Sequence, residues 1–335
     1  MNILLTGGAG YIGIHVAVAL VQAGHSIVIY DNFCNSKIEV IQNLEKVINQ
    51  KAPFIKGDVR DIHLLQSTMQ HYSVDAVIHL AGLKSVGESV ANPLEYYENN
   101  IGGTLSLLRA MNEQGVKNLV FSSSATVYGD PQYLPIDENH PVAPTNPYGR
   151  TKLQIEQMLK DLTTAEPSFK VINLRYFNPV GAHTSALLGE NPNGIPNNLL
   201  PFISRVATGE LSQLKVFGKD YPTVDGTGVR DYVHVMDLAE GHLAALAYLS
   251  KSKGFEVFNL GTGQGLSVLQ IIEAYEKVSK QKIHFVWSAR RPGDIASCYA
   301  SPEKANKILG WKACRTLVDM CASSWQFQQE NRAHT

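Results

Sequence analysis

Long apolar runs are missing from this chain of 335 residues, and so is an excess of either charge. No stretch approaches the roughly 20 consecutive apolar residues that a membrane-crossing helix needs. Lysine and arginine number 29 against 30 aspartates and glutamates, a formal net charge of -1. The chain therefore offers no basic footprint for nucleic acid or an anionic membrane. Cysteine is scarce: Cys34, Cys298, Cys314 and Cys321 have no CxxC spacing and no histidine placed to complete a zinc site, so no metal is expected. Scattered thiols fit a reducing compartment. "MNILLTGG" has neither the cationic start nor the long apolar core of a secretory leader, and a soluble, cytoplasmic protein is expected.

What is present is alternation. Short β-branched runs, "NILLTG", "SIVIYD", "PFIKGD", "DAVIHLAG", "NLVFSSS" and "KVINLRYF", are separated by segments of helical periodicity such as Ile12 to Ala23 and Ile101 to Glu113. Runs that are apolar on both faces predict a doubly wound, Rossmann-type parallel sheet covered by helices, with ligands at the carboxyl ends of its strands. After Phe177 the texture changes to loops rich in Pro, Gly and Asn. "RDYVHVMDLAEGHLAALAYL" followed by "EVFNLGTG" again reads as a helix feeding a buried strand. The expected organisation is an α/β domain over 1–177, with 230–262 returning to its sheet, and a smaller, interleaved α/β domain over 178–335.

"NILLTGGAGYIG" holds a strand, a glycine turn and a helix start. It can be read as Gly7-x-x-Gly10-x-x-Gly13 or as Gly8-x-Gly10-x-x-Gly13. Glycine serves there for a tight turn, close approach of a pyrophosphate to backbone, and close helix packing. Asp31 follows at the end of "SIVIYD", where a carboxylate accepts from a ribose 2′-hydroxyl and repels a 2′-phosphate. The expected cofactor is therefore NAD rather than NADP. Asp58, after the third strand, has a weaker claim: an adenine contact or a turn cap.

"NPYGRTK" puts Tyr148 four residues before Lys152. Such a pair shares one helix face, and spacing alone favours an inert surface contact over an acid–base couple. The context decides. With the TGGAGYIG turn, "HLAG" at 79–82, Ser124 and "RDYVHVMDLAEG" at 230–241, the chain resembles the extended short-chain dehydrogenase/reductase family. The resemblance implies Ser124, Tyr148 and Lys152 as catalytic residues. Chemistry agrees: a phenol ionising at about pH 10 needs roughly 4 kcal/mol of help to act as a base near neutrality. An ammonium at about 4 Å supplies approximately that at an effective dielectric near 20.

Within that family the chain is similar to the epimerases that act at C4 of UDP-hexoses, through segments such as "DNFCNS", "HLAGLKSVGESV", "PLEYYENN", "LRYFNPVGAH", "GIPNNLLP" and "FGKDYPTVDGTGVRDYVHVMDLA". The resemblance implies NAD contacts from Gly7, Gly10, Tyr11, Ile12, Gly13, Asp31, Asn32, Asn35, Ser36, Asp58, Val59, Leu80, Ala81, Gly82, Lys84, Asn99, Ser122, Tyr148, Lys152, Tyr176 and Phe177. It implies UDP-sugar contacts from Lys84, Ser85, Val86, Ser124, Tyr148, Asn178, Asn197, Asn198, Leu199, Val216, Phe217, Arg230, Tyr232, Arg291, Asp294 and Cys298. Arg230 and Arg291 are expected on the pyrophosphate, where guanidinium forks suit phosphate. Cys298 is expected to wall the C2 side of the sugar, a small residue there admitting N-acetylated sugars; Tyr299 is the competing occupant. Sibling dehydratases carry Asp-Glu after the residue matching Ser124. Here Ala125 and Thr126 stand there, which disfavours water elimination. A uronic-acid epimerase or decarboxylase of the same family stays open, as does a non-catalytic NAD-binding regulator. Helices around 95–113 and 150–165 are expected, by the resemblance, to pair in a homodimer.

Overall fold

The computed structural model describes residues 1–192, 194–291 and 293–333, the side chain of Ala333 aside. Six strands occupy the first half: β1 (Asn2–Thr6), β2 (Ser26–Asp31), β3 (Phe54–Lys56), β4 (Ala76–His79), β5 (Asn118–Ser124) and β6 (Lys170–Tyr176). The second half adds β7 (Asn178–Val180), β8 (Leu214–Phe217), β9 (Val229–His234), β10 (Phe255–Leu260), β11 (Gly265–Ser267), β12 (Phe285–Ser288) and β13 (Ser297–Cys298). Seven of them form one sheet in the order β3-β2-β1-β4-β5-β6-β10, paired in parallel throughout.

Both faces of that sheet are covered, which is why its strands read as unbroken apolar runs. Successive residues leave on opposite faces. Ile3 and Leu5 pack with Ile14, Leu20, Leu238 and Leu246, while Leu4 joins Leu65, Leu107, Ile155 and Leu159 on the other side. The order reverses between β1 and β4, which opens a crevice at the carboxyl ends of these strands.

Of 230–262, strand β10 enters the large sheet, and helix Val235–Tyr248 packs against helix Tyr11–Gln22. Strand β9 instead pairs with β7, β11 and β13 in a smaller sheet, and β8 pairs with β12. Helices Leu199–Ala207, Val268–Ser279 and Leu317–Ala333 enclose a separate core that includes Ile203, Tyr232, Ile271 and Met320. No helix among the described residues is long and apolar enough to cross a membrane.

Candidate active site

Both readings of the glycine turn stay open, because Gly8 is as crowded as Gly7: a Cβ on Gly8 would lie 2.8 Å from the Leu5 carbonyl oxygen. Gly7 has φ +71, and a Cβ on it would lie 2.6 Å from the Ala81 backbone nitrogen. A Cβ on Gly13 would lie 2.5 Å from the Gly7 carbonyl oxygen. The turn is thus pressed against both its own helix and the loop after β4. Helix Tyr11–Gln22 starts at Gly10 with no side chain capping it, so its first N–H groups point into the crevice unclaimed by a side chain. Ile12 is partly buried, and the Tyr11 hydroxyl donates to the Gly181 carbonyl at 2.7 Å, tying the turn to the chain after β7.

Asp31 ends β2 beside this turn. Its Oδ2 accepts from Ala9 N at 3.0 Å and its Oδ1 from Phe33 N at 2.8 Å. Burial raises its pKa, and those amide bonds oppose the rise. Each oxygen keeps a lone pair for a ribose hydroxyl. Asn32, Asn35 and Ser36 follow in the loop, with Asn32 reaching Asp58 at 3.3 Å. Asp58 itself is clasped by the Arg60 guanidinium at 2.9 and 2.8 Å, which holds its carboxyl down at about 2. Arg60 also reaches Glu98, so the arginine in this corner is spent on carboxylates rather than facing a 2′-phosphate. Val59 is buried between Gly103 and the core. These residues fit a dinucleotide carrying free ribose hydroxyls.

On the other side of the crevice β5 delivers Ser122 and Ser124, and helix Pro147–Ala165 delivers Tyr148 and Lys152. That helix starts where it does because the Asn146 side chain caps Gly149 N at 2.9 Å and Pro147 occupies the first turn. Lys152 is buried; its Nζ donates to the Ser122 carbonyl at 2.8 Å and sits 6.0 Å from the centre of the Tyr148 ring. Burial lowers its pKa to about 8, against an opposing pull from Glu156 one turn further on. Glu156 is held by Arg175 through two bonds of 3.0 and 2.6 Å and by Ser123 at 2.5 Å.

Ser124 is aimed by Thr126, whose backbone N–H and hydroxyl both donate to its Oγ, at 3.2 and 3.0 Å. With its oxygen so occupied, the Ser124 proton is left to donate, and Ser124 lies near enough to Tyr148 to act on its phenol. The Tyr148 phenol departs from expectation. Its pKa is raised by burial, with the Ser124 bond the opposing influence. The ammonium is itself weakened by burial, so the protein's own groups do not bring the phenol down.

The loop carrying Leu80, Ala81, Gly82 and Lys84 is clamped by Asn100, whose amide accepts from Leu83 N at 2.8 Å and donates to Leu83 O and Thr151 Oγ1, each at 3.0 Å. Asn99 is its partly buried neighbour. The sequence pointed to Thr126 only for the carboxylate it lacks, not for its bonds to Ser124, and gave no role to Asn100. The signal for Asn100 was the pair of asparagines in "YENN"; the π-helical stretch Tyr97–Gly102 decides which of them faces the loop, since an extra residue per turn rotates the face. Ser85 caps the short helix that Val86 opens. Lys84 reaches Glu190 at 3.4 Å, and Asn198 donates to the same carboxylate at 2.5 Å. Asn35, Val86, Asn178 and Asn197 are exposed.

In the smaller sheet, Arg230 and Arg291 converge on Asp294, Arg230 by a hydrogen bond and Arg291 at 3.6 Å. The Arg291 guanidinium lies 4.7 Å over the Phe217 ring. Two cations share one anion, leaving a net positive corner lined by Phe217, with Val216 and Tyr232 buried behind it. Leu199 opens the helix that follows Asn198. Cys298 stands opposite Arg230 in the β13–β9 pairing and packs with Phe177, Val127 and Ala125 beside the Ser124 turn. Burial pushes its thiol up to about 11. Tyr299, the competing wall, instead packs toward Gly265, as alternation along a strand requires. Among the described residues no group of His, Cys, Asp or Glu is arranged to hold a metal.

Comparison with known proteins agrees with this geometry. Residues 3–261 match the NAD dependent epimerase/dehydratase family. The chain is 54% identical over 331 residues to the UDP-glucose 4-epimerase of Bacillus subtilis (strain 168), covering 99% of this chain and 98% of that one. Its structure resembles that of UDP-glucose-4-epimerase from Stenotrophomonas maltophila with bound NAD and formylated UDP-arabinopyranose, at a TM-score of 0.98, 48% identity and 100% coverage of both chains. It also resembles UDP-glucose 4-epimerase from Bifidobacterium longum in complex with NAD+ and UDP, at 0.97, 50% and 100% of both. A likeness that spans whole chains, at such identity, and runs through the glycine turn and both halves of the crevice is one of descent: the chain belongs to the NAD dependent epimerase/dehydratase family.

Proposed function

We propose that this protein is an isomerase that inverts C4 of a UDP-hexose, UDP-galactose to UDP-glucose and back, with NAD as resident cofactor. NAD supplies the acceptor and donor of the C4 hydride, which no side chain can provide. Tyr148 takes the proton of the O4 hydroxyl and later returns it, so no net oxidation results. Ser124, its oxygen filled by Thr126, donates to O4 and steadies the charge there. Lys152 keeps an ammonium beside them, anchored on the Ser122 carbonyl. Burial raises the Tyr148 phenol, and the downward pull it needs would come from the positive charge of a bound nicotinamide. Residues 1–177 with β10 carry the dinucleotide, and 178–335 mainly the UDP-sugar.

Between removal and return of hydride the 4-keto sugar must present its other face. The nucleotide end is therefore held hard, by Arg230 and Arg291, while the sugar end meets the small, apolar Cys298 wall. The same room lets N-acetylated sugars enter, so UDP-GlcNAc and UDP-GalNAc are further substrates. Ala125 and Thr126 supply no carboxylate for dehydration.

The observation that carries this reading is the Ser124–Tyr148–Lys152 group at the carboxyl edge of the sheet, between the Gly7–Gly13 turn and the paired arginines. Turnover of UDP-galactose and UDP-GalNAc by purified protein without added NAD tests it; no interconversion of either, even with NAD supplied, refutes it. Val90, Leu94 and Leu105 expose apolar side chains near the helices expected to pair two copies, and a homodimer in the cytoplasm is the proposed assembly.

A further inference from the structure

Helix Val235–Tyr248 contributes no residue to the proposed chemistry, yet it sends His242 into the sheet behind the site. His242 is fully buried. Its Nδ1 lies 2.8 Å from the Leu238 carbonyl, which can only accept, so Nδ1 carries the proton and Nε2 a lone pair. The Tyr176 hydroxyl is 2.7 Å from that Nε2 and must donate to it. Its oxygen is then an acceptor for the Ser122 hydroxyl, the remaining member of the chain. Ser122 is the residue whose carbonyl anchors Lys152. Tyr176 stands opposite Ser124 in the β5–β6 register, and its phenol is near enough to Tyr148 for the two to repel when ionised. Every proton in Ser122–Tyr176–His242 thus has one assigned direction, and the direction is set at the histidine.

The geometry points to His242 as a positioning residue: by accepting the Tyr176 proton it fixes the Tyr176–Ser122 hydrogen bond beside Lys152 and keeps that proton from the Tyr148–Ser124 pair. Without an acceptor behind it, the Tyr176 hydroxyl turns toward Ser122 or across to Ser124 and Tyr148. There it competes for the lone pair that must take the O4 proton. Burial keeps the imidazole neutral, down to about pH 4, against the opposing pull of the Leu238 carbonyl, so the acceptor persists at any pH where the enzyme works. The inference rests on the epimerase reading and adds a residue to it.

The test uses the NAD-loaded full-length protein with His242→Asn and His242→Gln. The asparagine amide can reach Leu238 but not Tyr176, whereas glutamine can place its carbonyl oxygen where Nε2 was. His242→Asn is expected to lose about tenfold or more in kcat with KM for UDP-galactose within about twofold, the split produced by a defect confined to the chemical step. His242→Gln is expected to regain most of that loss. Tyr176→Phe combined with His242→Asn should be no worse than the more damaged single variant, because both break one chain. A purely structural histidine would lower the melting temperature and active fraction while leaving kcat per NAD-loaded site intact; that result, or equal kcat for Asn and Gln, overturns the inference. Should both histidine variants fail to fold, Tyr176→Phe alone reads the chain, and an undiminished kcat there overturns it equally. An unmodified protein that does not interconvert UDP-sugars refutes the epimerase reading instead.

Discussion

Lys152 Nζ donates to the main-chain carbonyl of Ser122 at 2.8 Å, so the ammonium is pinned to the end of β5 rather than to its own helix or to a carboxylate. A neutral acceptor fixes the position of a buried charge without cancelling it. The site keeps a cation 6.0 Å from the centre of the Tyr148 ring, and the fold bears the desolvation of that charge.

The cost is measurable as a pH dependence. The Lys152 pKa falls from 10.5 to about 8 in the folded protein. Between those values the unfolded chain binds a proton that the native state does not, so native stability rises with pH across this window. Below about pH 8 the deficit is complete, and 2 to 3 pH units correspond to about 3 kcal/mol. In NAD-free protein, Lys152→Met is expected to be more stable than the parent at pH 7, with the advantage shrinking steadily from about pH 8 toward pH 10. Urea denaturation at several pH values checks this, and the same variant should be almost inactive.

The glycine turn makes a second expectation. Gly13→Ala drives a methyl into the Gly7 carbonyl, whereas a methyl on Gly10 meets that oxygen only at 3.2 Å. Gly13→Ala should be purified with little NAD and a lowered melting temperature, and Gly10→Ala should be milder in stability. The nucleotide content of the purified variants, read by absorbance after denaturation, gives the comparison.

The contact proposed for Arg230, on the pyrophosphate, is remote from C4. Arg230→Met is expected to raise KM for UDP-galactose by about 10- to 100-fold, the worth of a charge-assisted hydrogen bond of 1.5–3 kcal/mol, with kcat changed less. Asp294 then retains Arg291 as its partner. Steady-state kinetics with both epimers resolves the split.

At the sugar end, Cys298→Tyr should abolish turnover of UDP-GlcNAc and UDP-GalNAc while sparing UDP-glucose and UDP-galactose. If the parent ignores the N-acetylated sugars, the room assigned to Cys298 is wrong. If the variant still accepts them, another side chain walls that part of the site.

Much of this molecule was readable in its sequence where the signal is local. The strand–turn–helix at 2–22 needs only short-range sterics, and the unbroken apolar runs of β1, β2, β4, β5 and β6 state that both faces are covered. Other features needed the folded chain. Strand β9 reads like the strands of the large sheet but pairs in the smaller one, because pairing is decided by partners far away in sequence. Thr126 reaches Ser124 through two hydrogen bonds, and His242 meets Tyr176 through one, none of which periodicity records. The upward shift of Tyr148 depends on burial, which spacing to Lys152 does not report. The meeting of Arg230, Arg291 and Asp294 likewise came from resemblance and not from any pattern in the residues.

The central claim is that Tyr148 carries the O4 proton while other residues do the binding. The most direct measurement is the turnover of UDP-galactose by Tyr148→Phe, alongside calorimetric binding of UDP and the NAD content of the variant. NAD and UDP binding are expected close to those of the parent, with kcat reduced by about 10²- to 10⁴-fold, the usual worth of general acid–base catalysis. A variant that binds both and still turns over at near the parent rate would contradict it.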